Sequence, residues 1–269
     1  MPVHYELGDD HVVWITIDRP EAMNSLDMDH FAQLRRAWDR FGEDDEAWVA
    51  VITGVANAFC TGADLKTYIP EITKLQKEIS TREVEEIDGY RIDDGVRAVL
   101  RGVKLYKPIV AAVNGACVAG GMEMLGGTDI RVACPEAYFG VMEPKRGLFA
   151  GGGTTVRLPR QIAFPAAMEF LLCADRVPAD KALSYGLLND VVPADQLRDK
   201  ALEYAHRITS NGPLAVRKTK ESVLRGLATD MREAYKIESA IATEVFSSED
   251  AKEGPAAFAE KRPPRWTGR

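Results

Sequence analysis

Residues 108–130, PIVAAVNGACVAGGMEMLGGTDI, constrain the fold more than any other stretch. Residues 109–113 form an apolar, β-branched run of strand length with no polar face, as a strand buried on both sides requires. Asn114-Gly115 breaks the run. A small-residue segment then ends in Gly120-Gly121, and Met122, Glu123, Met124 and Leu125 follow with good helix propensity. The sequence predicts a strand passing through a glycine turn into a helix. The first N–H groups of a helix have no partner within it, and glycines allow a ligand to approach them closely. Such a turn suits a negative charge or a polarised oxygen. No Gly-Lys-Ser/Thr follows, so it is not a Walker-type phosphate loop. Alone, the glycine pair also reads as a tight connection and nothing more.

A similar pattern occurs earlier. WVAVIT, 48–53, reads as a buried strand, and AFCTGADL, 58–65, is a second small-residue turn in which Gly62 and Ala63 offer backbone N–H groups. The plain alternative is a loop whose Asp64 caps the next helix. HVVWITI, 11–17, reads as a strand. A helix capped by Ser25 or Asp27 follows, with Phe31, Leu34, Trp38 and Phe41 on one face, and Gly42 with the acidic run 43–46 ends it. Strands alternating with helices predict an α/β protein.

Further along, 130–134 and 187–192 read as strands, and 137–140 as a short extended piece. Gly151 to Gly153 prepare a helix start at Thr154, 157–162 and 165–173 are helical, and Pro178 suits the first turn of a helix ending at Gly186. The charged region 70–101 keeps helical spacing at Ile72, Leu75 and Ile79 and again at Val96, Val99, Leu100 and Val103. It reads as two helices with a mobile join beside a pocket, or as a solvated helix pair. From 194 onward helices dominate: 195–209, 213–227, 230–246 and 249–260. The expected organisation is an α/β core over 1–193 that carries the active site, followed by a helical region over 194–269.

Composition narrows the function classes. A chain of 269 residues with 46% hydrophobic content builds a sizeable core. The net charge of −7 argues against general nucleic-acid binding. RKTK, 217–220, is the nearest basic patch and fits a solvated helix face. Cys60, Cys117, Cys134 and Cys173 form no C-x-x-C pair and read as reduced core thiols of a cytoplasmic protein. The histidines at 4, 11, 30 and 206 have no metal-ligand spacing, so no metal is expected. The N-terminus shows no basic-then-apolar signal segment, and no apolar run has membrane-spanning length. No G-x-S-x-G elbow or G-x-G-x-x-G fingerprint is present.

Two acidic residues remain. Glu123 falls in the first turn of the central helix, where a carboxylate stabilises the helix by about 0.3–1 kcal/mol. Glu143 lies twenty positions later, just before the glycine-rich loop. Singly, each has a bland explanation. Together with R19-P-E-A-M-N-S-L26, A58-F-C-T-G-A-D-L65, P108-I-V-A-A-V-N-G115, A119-G-G-M-E123, DIRVA at 129–133, F139-G-V-M-E143, G151-G-G-T154 and FAEKRPP at 258–264, the chain resembles the crotonase superfamily, the enoyl-CoA hydratase/isomerase family, over nearly its whole length.

That resemblance implies a spiral core of ββα units with a C-terminal helical oligomerisation region, assembled as a homotrimer or a dimer of trimers. It implies an oxyanion hole for an acyl-CoA thioester carbonyl from the backbone N–H groups of Ala63 and Gly120. It implies Glu123 and Glu143 as paired catalytic acids, with Asp64, Leu65 and Lys66 along the CoA and Phe258 and Lys261 reaching a neighbour's CoA. The implied reaction is syn hydration of a trans-2-enoyl-CoA, with no cofactor because CoA arrives as part of the substrate. Thr61, Met122, Pro144-Lys145-Arg146 and Phe149-Ala150 depart from the commoner pattern and bear on acyl-chain preference. The rivals are a Δ3,Δ2-enoyl-CoA isomerase, which needs a single carboxylate, a CoA-linked dehydratase, and a non-catalytic acyl-CoA- or RNA-binding protein.

Overall fold

A computed structural model describes residues 3–269. In chain order the elements are β1 (Val3–Leu7), β2 (Val12–Ile17), α1 (Met28–Glu43), β3 (Val49–Gly54), β4 (Ala58–Cys60), α2 (Tyr68–Arg82), β5 (Glu86–Ile87), β6 (Tyr90–Arg91) and α3 (Asp94–Ala98). There follow β7 (Ile109–Val113), β8 (Ala116–Val118), α4 (Gly120–Leu125), β9 (Ile130–Ala133), β10 (Tyr138–Gly140), α5 (Thr154–Gln161), α6 (Phe164–Met168), β11 (Val177–Pro178), α7 (Ala179–Ser184) and β12 (Asp190–Val191). The helices α8 (Leu197–Thr209), α9 (Pro213–Gly226), α10 (Met231–Phe246) and α11 (Asp250–Glu260) end the chain.

Two sheets organise the core. One has strand order β1-β2-β3-β7-β9-β12, the other β11-β10-β8-β4. The chain alternates between them: β3, β7 and β9 lie parallel in the first sheet, and β4, β8 and β10 lie parallel in the second. Each pair of strands is followed by a helix, so the core is a spiral of ββα units. This is the α/β crotonase-like architecture that the resemblance implies.

The two faces of the larger sheet explain its continuously apolar strands. On β7, Ile109, Ala111 and Val113 face the main core, while Val110 and Ala112 face the other way. On β2 the same alternation places Val13, Ile15 and Ile17 inward and Val12 and Trp14 outward. The outward residues are covered by α8 through Leu197, Ala201 and Ala205, one residue per helical turn. Helix α8, the first after residue 193, thus closes the outer face of the core sheet. The basic run that follows on α9 is engaged: Lys218 pairs with Glu221 and Glu244, and Lys220 pairs with Asp129.

Asp27 caps α1, accepting from the His30 N–H at 3.0 Å, and Phe31, Leu34, Trp38 and Phe41 are all buried. Several expectations need correction. Strand β1 pairs antiparallel with β2 and was not anticipated. The small-residue segment after Asn114-Gly115 contains β8, which is held between β4 and β10 and so belongs to the second sheet. Between the two helices expected over 70–101 stands a β-hairpin, β5–β6, turned by Asp88-Gly89 at φ 52° and 85°. Asp-Gly is a favoured two-residue hairpin turn, and it falls in the stretch expected as a mobile join between the two helices. Helix α3 is only five residues long. Only Asp190–Val191 of the strand expected over 187–192 pairs with β9. Pro178 sits in β11 opposite Tyr138 and precedes α7, so it is not inside the helix's first turn. Cys60, Cys117 and Cys134 are buried, but Cys173 is exposed at the end of a π-helical turn and is no core thiol.

Trp38 is 1% exposed and donates its indole N–H to the Ala98 carbonyl at 3.0 Å, tying α1 to α3. Trp38→Ala should destabilise the protein by about 3–5 kcal/mol, read as a lowered midpoint in urea unfolding. A loss under about 1 kcal/mol would show that this contact does not hold the two helices together.

Candidate active site

The two amide-bearing turns meet. The segment before α1 braces the first of them. Buried Asn24 donates to the Ala58 carbonyl at 2.6 Å and the Val55 carbonyl at 3.0 Å, and it accepts from the Arg19 N–H at 2.9 Å. Leu26 donates to the Gly62 carbonyl and accepts from the Asp64 N–H, both at 2.8 Å. In this bridge the intervening Ala63 N–H points away from Leu26, and Ala63 lines a cavity of about 600 Å3. Gly120, the first residue of α4, lines the same cavity, and its N–H precedes the helix's hydrogen bonds.

Only glycine permits this approach. Gly62 has φ +85°, and a Cβ there would stand 2.7 Å from the Gly120 nitrogen. A Cβ on Gly120 would stand 3.0 Å from the Gly62 Cα and 3.7 Å from the Ala63 nitrogen. Ala119, just before α4, is held at φ 50°, ψ −123°, a costly conformation for a residue with a Cβ. Its N–H is fixed by the Gly140 carbonyl at 2.9 Å. The strain sets the direction in which α4 begins.

Glu123 and Glu143 also line this cavity. Glu123 is on the first turns of α4, and its Oε1 accepts from the Gly152 N–H. A Cβ at residue 152 would collide with that carboxylate, which explains the glycine. Arg157 on α5 donates to the Glu123 carbonyl at 3.0 Å and the Val99 carbonyl at 3.1 Å, locking the helix behind the acid. Arg101 donates to the Gly151 carbonyl at 2.6 Å and fastens the glycine loop. Burial raises the Glu123 carboxyl above its usual range, against the opposing pull of the Gly152 N–H and of Arg157.

Glu143 is pushed up to about 7, first by burial, then by the nearby charge of Glu123, with its own backbone N–H and Arg146 opposing. Its Oε2 is buried without a hydrogen-bond partner. Two carboxyls in one partly dry cavity disfavour double ionisation. Below about pH 7 the pair therefore retains a proton, and Glu143 is the better place for it.

Of the remaining residues anticipated from sequence, Leu65 lines the cavity and is 45% exposed. Asp64 lies behind it, paired with Arg19 at 2.9 Å. Partial burial opposes its ionisation, but the Lys66 N–H and the Arg19 guanidinium outweigh this and hold its carboxyl below the usual range. Lys66 is exposed and outside the cavity lining. Phe258, 87% exposed, and Lys261 lie at the far end of α11 and do not border the cavity of their own chain. Sequence reasoning missed Asn24, Gly152, Arg157 and Tyr68 as parts of the site. The R19-P-E-A-M-N-S-L26 motif and the Gly151–Gly153 run were the local signals for two of them, Asn24 and Gly152.

The family model for enoyl-CoA hydratase/isomerase matches residues 8–269. The chain belongs to that family. It is 41% identical over 259 residues to enoyl-CoA hydratase EchA19 of Mycobacterium tuberculosis, covering 96% of this chain and 94% of the relative. It is 38% identical to (E)-benzylidenesuccinyl-CoA hydratase of Thauera aromatica over the whole of both chains. The crystal structure of an enoyl-CoA hydratase from Bacillus anthracis superposes with a TM-score of 0.87 at 32% identity, covering 100% of both chains. The family is enzymatic, and one cavity brings together Ala63, Gly120 and the raised carboxyls of Glu123 and Glu143. Among the described residues no helix is long and apolar enough to cross a membrane, and no group of three or more His, Cys, Asp or Glu is placed to hold a metal.

Glu143 has a pH consequence. Burial pushes its carboxyl up to about 7, above the usual 4.5 of a glutamic acid, so the folded protein binds the extra proton between those values. This contribution to stability is fully present below about pH 4.5 and is lost as pH rises through about 7. Glu143→Gln should be stabilised relative to the parent increasingly from pH 4.5 to 7.5 in thermal melts. A difference in Tm that stays constant across that range would remove the raised pKa.

Proposed function

We propose that this chain reversibly hydrates trans-2-enoyl-CoA thioesters to 3-hydroxyacyl-CoA. The observation that carries this reading is the approach of the Gly62–Ala63 turn to Gly120 in a cavity that also holds two buried carboxyls. With the thioester oxygen between the Ala63 and Gly120 N–H groups, the negative charge that develops as an enolate forms meets donors already oriented towards it. Removing one such donor costs about 10²–10³ in rate.

Proton bookkeeping follows from the two acids. Glu123, fixed by Gly152, holds a water molecule and takes its proton as the oxygen attacks C3. Glu143, protonated near neutral pH, gives a proton to C2. The pair then carries its proton on Glu123 and is reset by exchange. The reverse reaction runs the same steps backwards. The two groups work on one side of the acyl chain, which gives syn addition. CoA enters as part of the substrate, and the reading requires no separate cofactor.

An isomerase needs one carboxylate to carry a proton between two carbons. A second buried acid in the same cavity supports hydration over isomerisation. One relative named above is a hydratase of (E)-benzylidenesuccinyl-CoA, so family membership alone does not fix the acyl chain. Exposed apolar residues Leu227, Met231, Tyr235 and Phe246 lie at the junction and ends of α9 and α10. They support assembly as a homotrimer or a dimer of trimers. Within such an assembly Phe258 and Lys261 would contact a neighbour's CoA, alongside that neighbour's Asp64, Leu65 and Lys66.

With crotonyl-CoA as substrate, absorbance of the conjugated thioester should fall as water adds. Glu123→Gln and Glu143→Gln should each lower turnover by about 10²–10⁴ while a saturated acyl-CoA still binds. Full turnover in both variants would defeat the assigned roles. Sedimentation equilibrium should give a trimer or hexamer, and a monomer at assay concentration would overturn the assembly.

A further inference from the structure

Apart from Glu143, one largely buried polar group on the cavity wall has no evident work to do. Thr61 donates its hydroxyl to the Met23 carbonyl at 3.0 Å, and Glu123 accepts from Gly152. Tyr68 opens α2, and its ring packs on Phe31 with centroids 4.4 Å apart, both rings lining the cavity. Its hydroxyl lies over Gly95, another lining residue, where a Cβ would collide with it. The nearest carboxylate does not receive it. Asp94 spends Oδ1 on the Arg35 guanidinium at 2.7 Å and Oδ2 on the Arg91 N–H at 2.8 Å. The surrounding wall is apolar, made of Ile69, Ile92, Val96 and Val99.

We propose that the Tyr68 hydroxyl selects acyl chains carrying a hydrogen-bond-accepting oxygen, a ketone or a hydroxyl, on the part of the chain that lies between α2 and α3. The hydroxyl opens on the cavity, and a plain hydrocarbon tail covers it without offering an acceptor, which is costly. A tail with an oxygen at the matching carbon satisfies it. Burial and the negative charge of Asp94 push the phenol up to about 12, so it remains a neutral donor throughout the working pH range. Gly95 leaves the room that the hydroxyl occupies. This inference rests on the enoyl-CoA reading of the same cavity.

The test compares trans-2-decenoyl-CoA with derivatives bearing one oxo or one hydroxyl group, moved stepwise along the chain beyond the double bond. For at least one position, kcat/KM should exceed that of the plain chain by about fivefold or more. The ratio should fall to about one in Tyr68→Phe. It should also fall in Gly95→Ala, which displaces the hydroxyl and serves if the first variant does not fold. The oxo and hydroxy arms separate a carbonyl acceptor from a hydroxyl partner. A wild-type ratio of about one at every position would overturn the proposal, as would a preference retained in Tyr68→Phe. If the wild type hydrates none of the series, the hydratase reading fails. Calorimetric Kd values for saturated oxo-, hydroxy- and plain decanoyl-CoA then decide the Tyr68 proposal by the same ratio.

Discussion

The contact of the Gly62–Ala63 turn with the first residue of α4 is the constraint around which the core is arranged. Backbone nitrogens of two separate chain segments come this close only if nothing projects between them, and glycine at 62 and 120 meets that condition. The rest of the local structure holds the approach open. Asn24 and Leu26 brace one turn from the side away from the cavity. The strained Ala119, anchored to Gly140, aims the other. The strands beneath, β4 and β8, are adjacent and parallel, so the two turns leave the same edge of the second sheet. Binding sites at the ends of parallel strands use the same economy of backbone donors.

The two acids derive their chemistry from how the ββα spiral spaces them. Glu123 belongs to the unit of β7, β8 and α4, and Glu143 follows β10 in the next unit. Neighbouring units bring the two carboxyls into one cavity from different backbones, so each can be held independently. Glu123 is fixed by the Gly152 N–H and, through its helix, by Arg157. Glu143 has a buried oxygen without a partner. Burial raises both carboxyls; the Gly152 N–H and Arg157 oppose it at Glu123, while the charge of Glu123 adds to it at Glu143, which is left to hold the proton.

Legibility from sequence followed how local each cause was. β2, β3, β7 and α1 carry their pattern within themselves, as continuous apolar runs or a helical stripe ending at the Asp27 cap. β8 is three residues long, has no pattern of its own and exists because β4 and β10 flank it. The hairpin at Asp88-Gly89 did carry a local signal, but it lies in a charged stretch between two apolar helical spacings and was read as their join. The site divides in the same way. Ala63, Gly120, Glu123 and Glu143 lie in recognisable runs. Gly152 reaches Glu123 across 29 positions, and Arg157 reaches Val99 across 58, partners that no local spacing reveals.

One wall of the cavity depends on the charged region between β4 and β7. α2 and the β5–β6 hairpin pack on α1 through the apolar cluster of Met28, Leu75 and Ile79, and α3 is joined to α1 by polar contacts: Arg35 to Asp94, Arg97 to Asp39 at 2.6 Å, and the Trp38 indole to Ala98. Each of these fixes a direction more than it adds apolar burial. Arg35 with Asp94 is almost fully buried, so the pair contributes less to net stability than to the placement of α3, because desolvation offsets much of the attraction. Placement is what the cavity requires. A shift of α3 would carry Gly95, Val96 and Val99 away from Tyr68 and widen that wall of the cavity, while the end built on strands and glycine turns stays in register. The same spiral therefore sets the paired amides and acids on strands and glycine turns, and leaves the remaining wall to a segment that sequence can change without moving them.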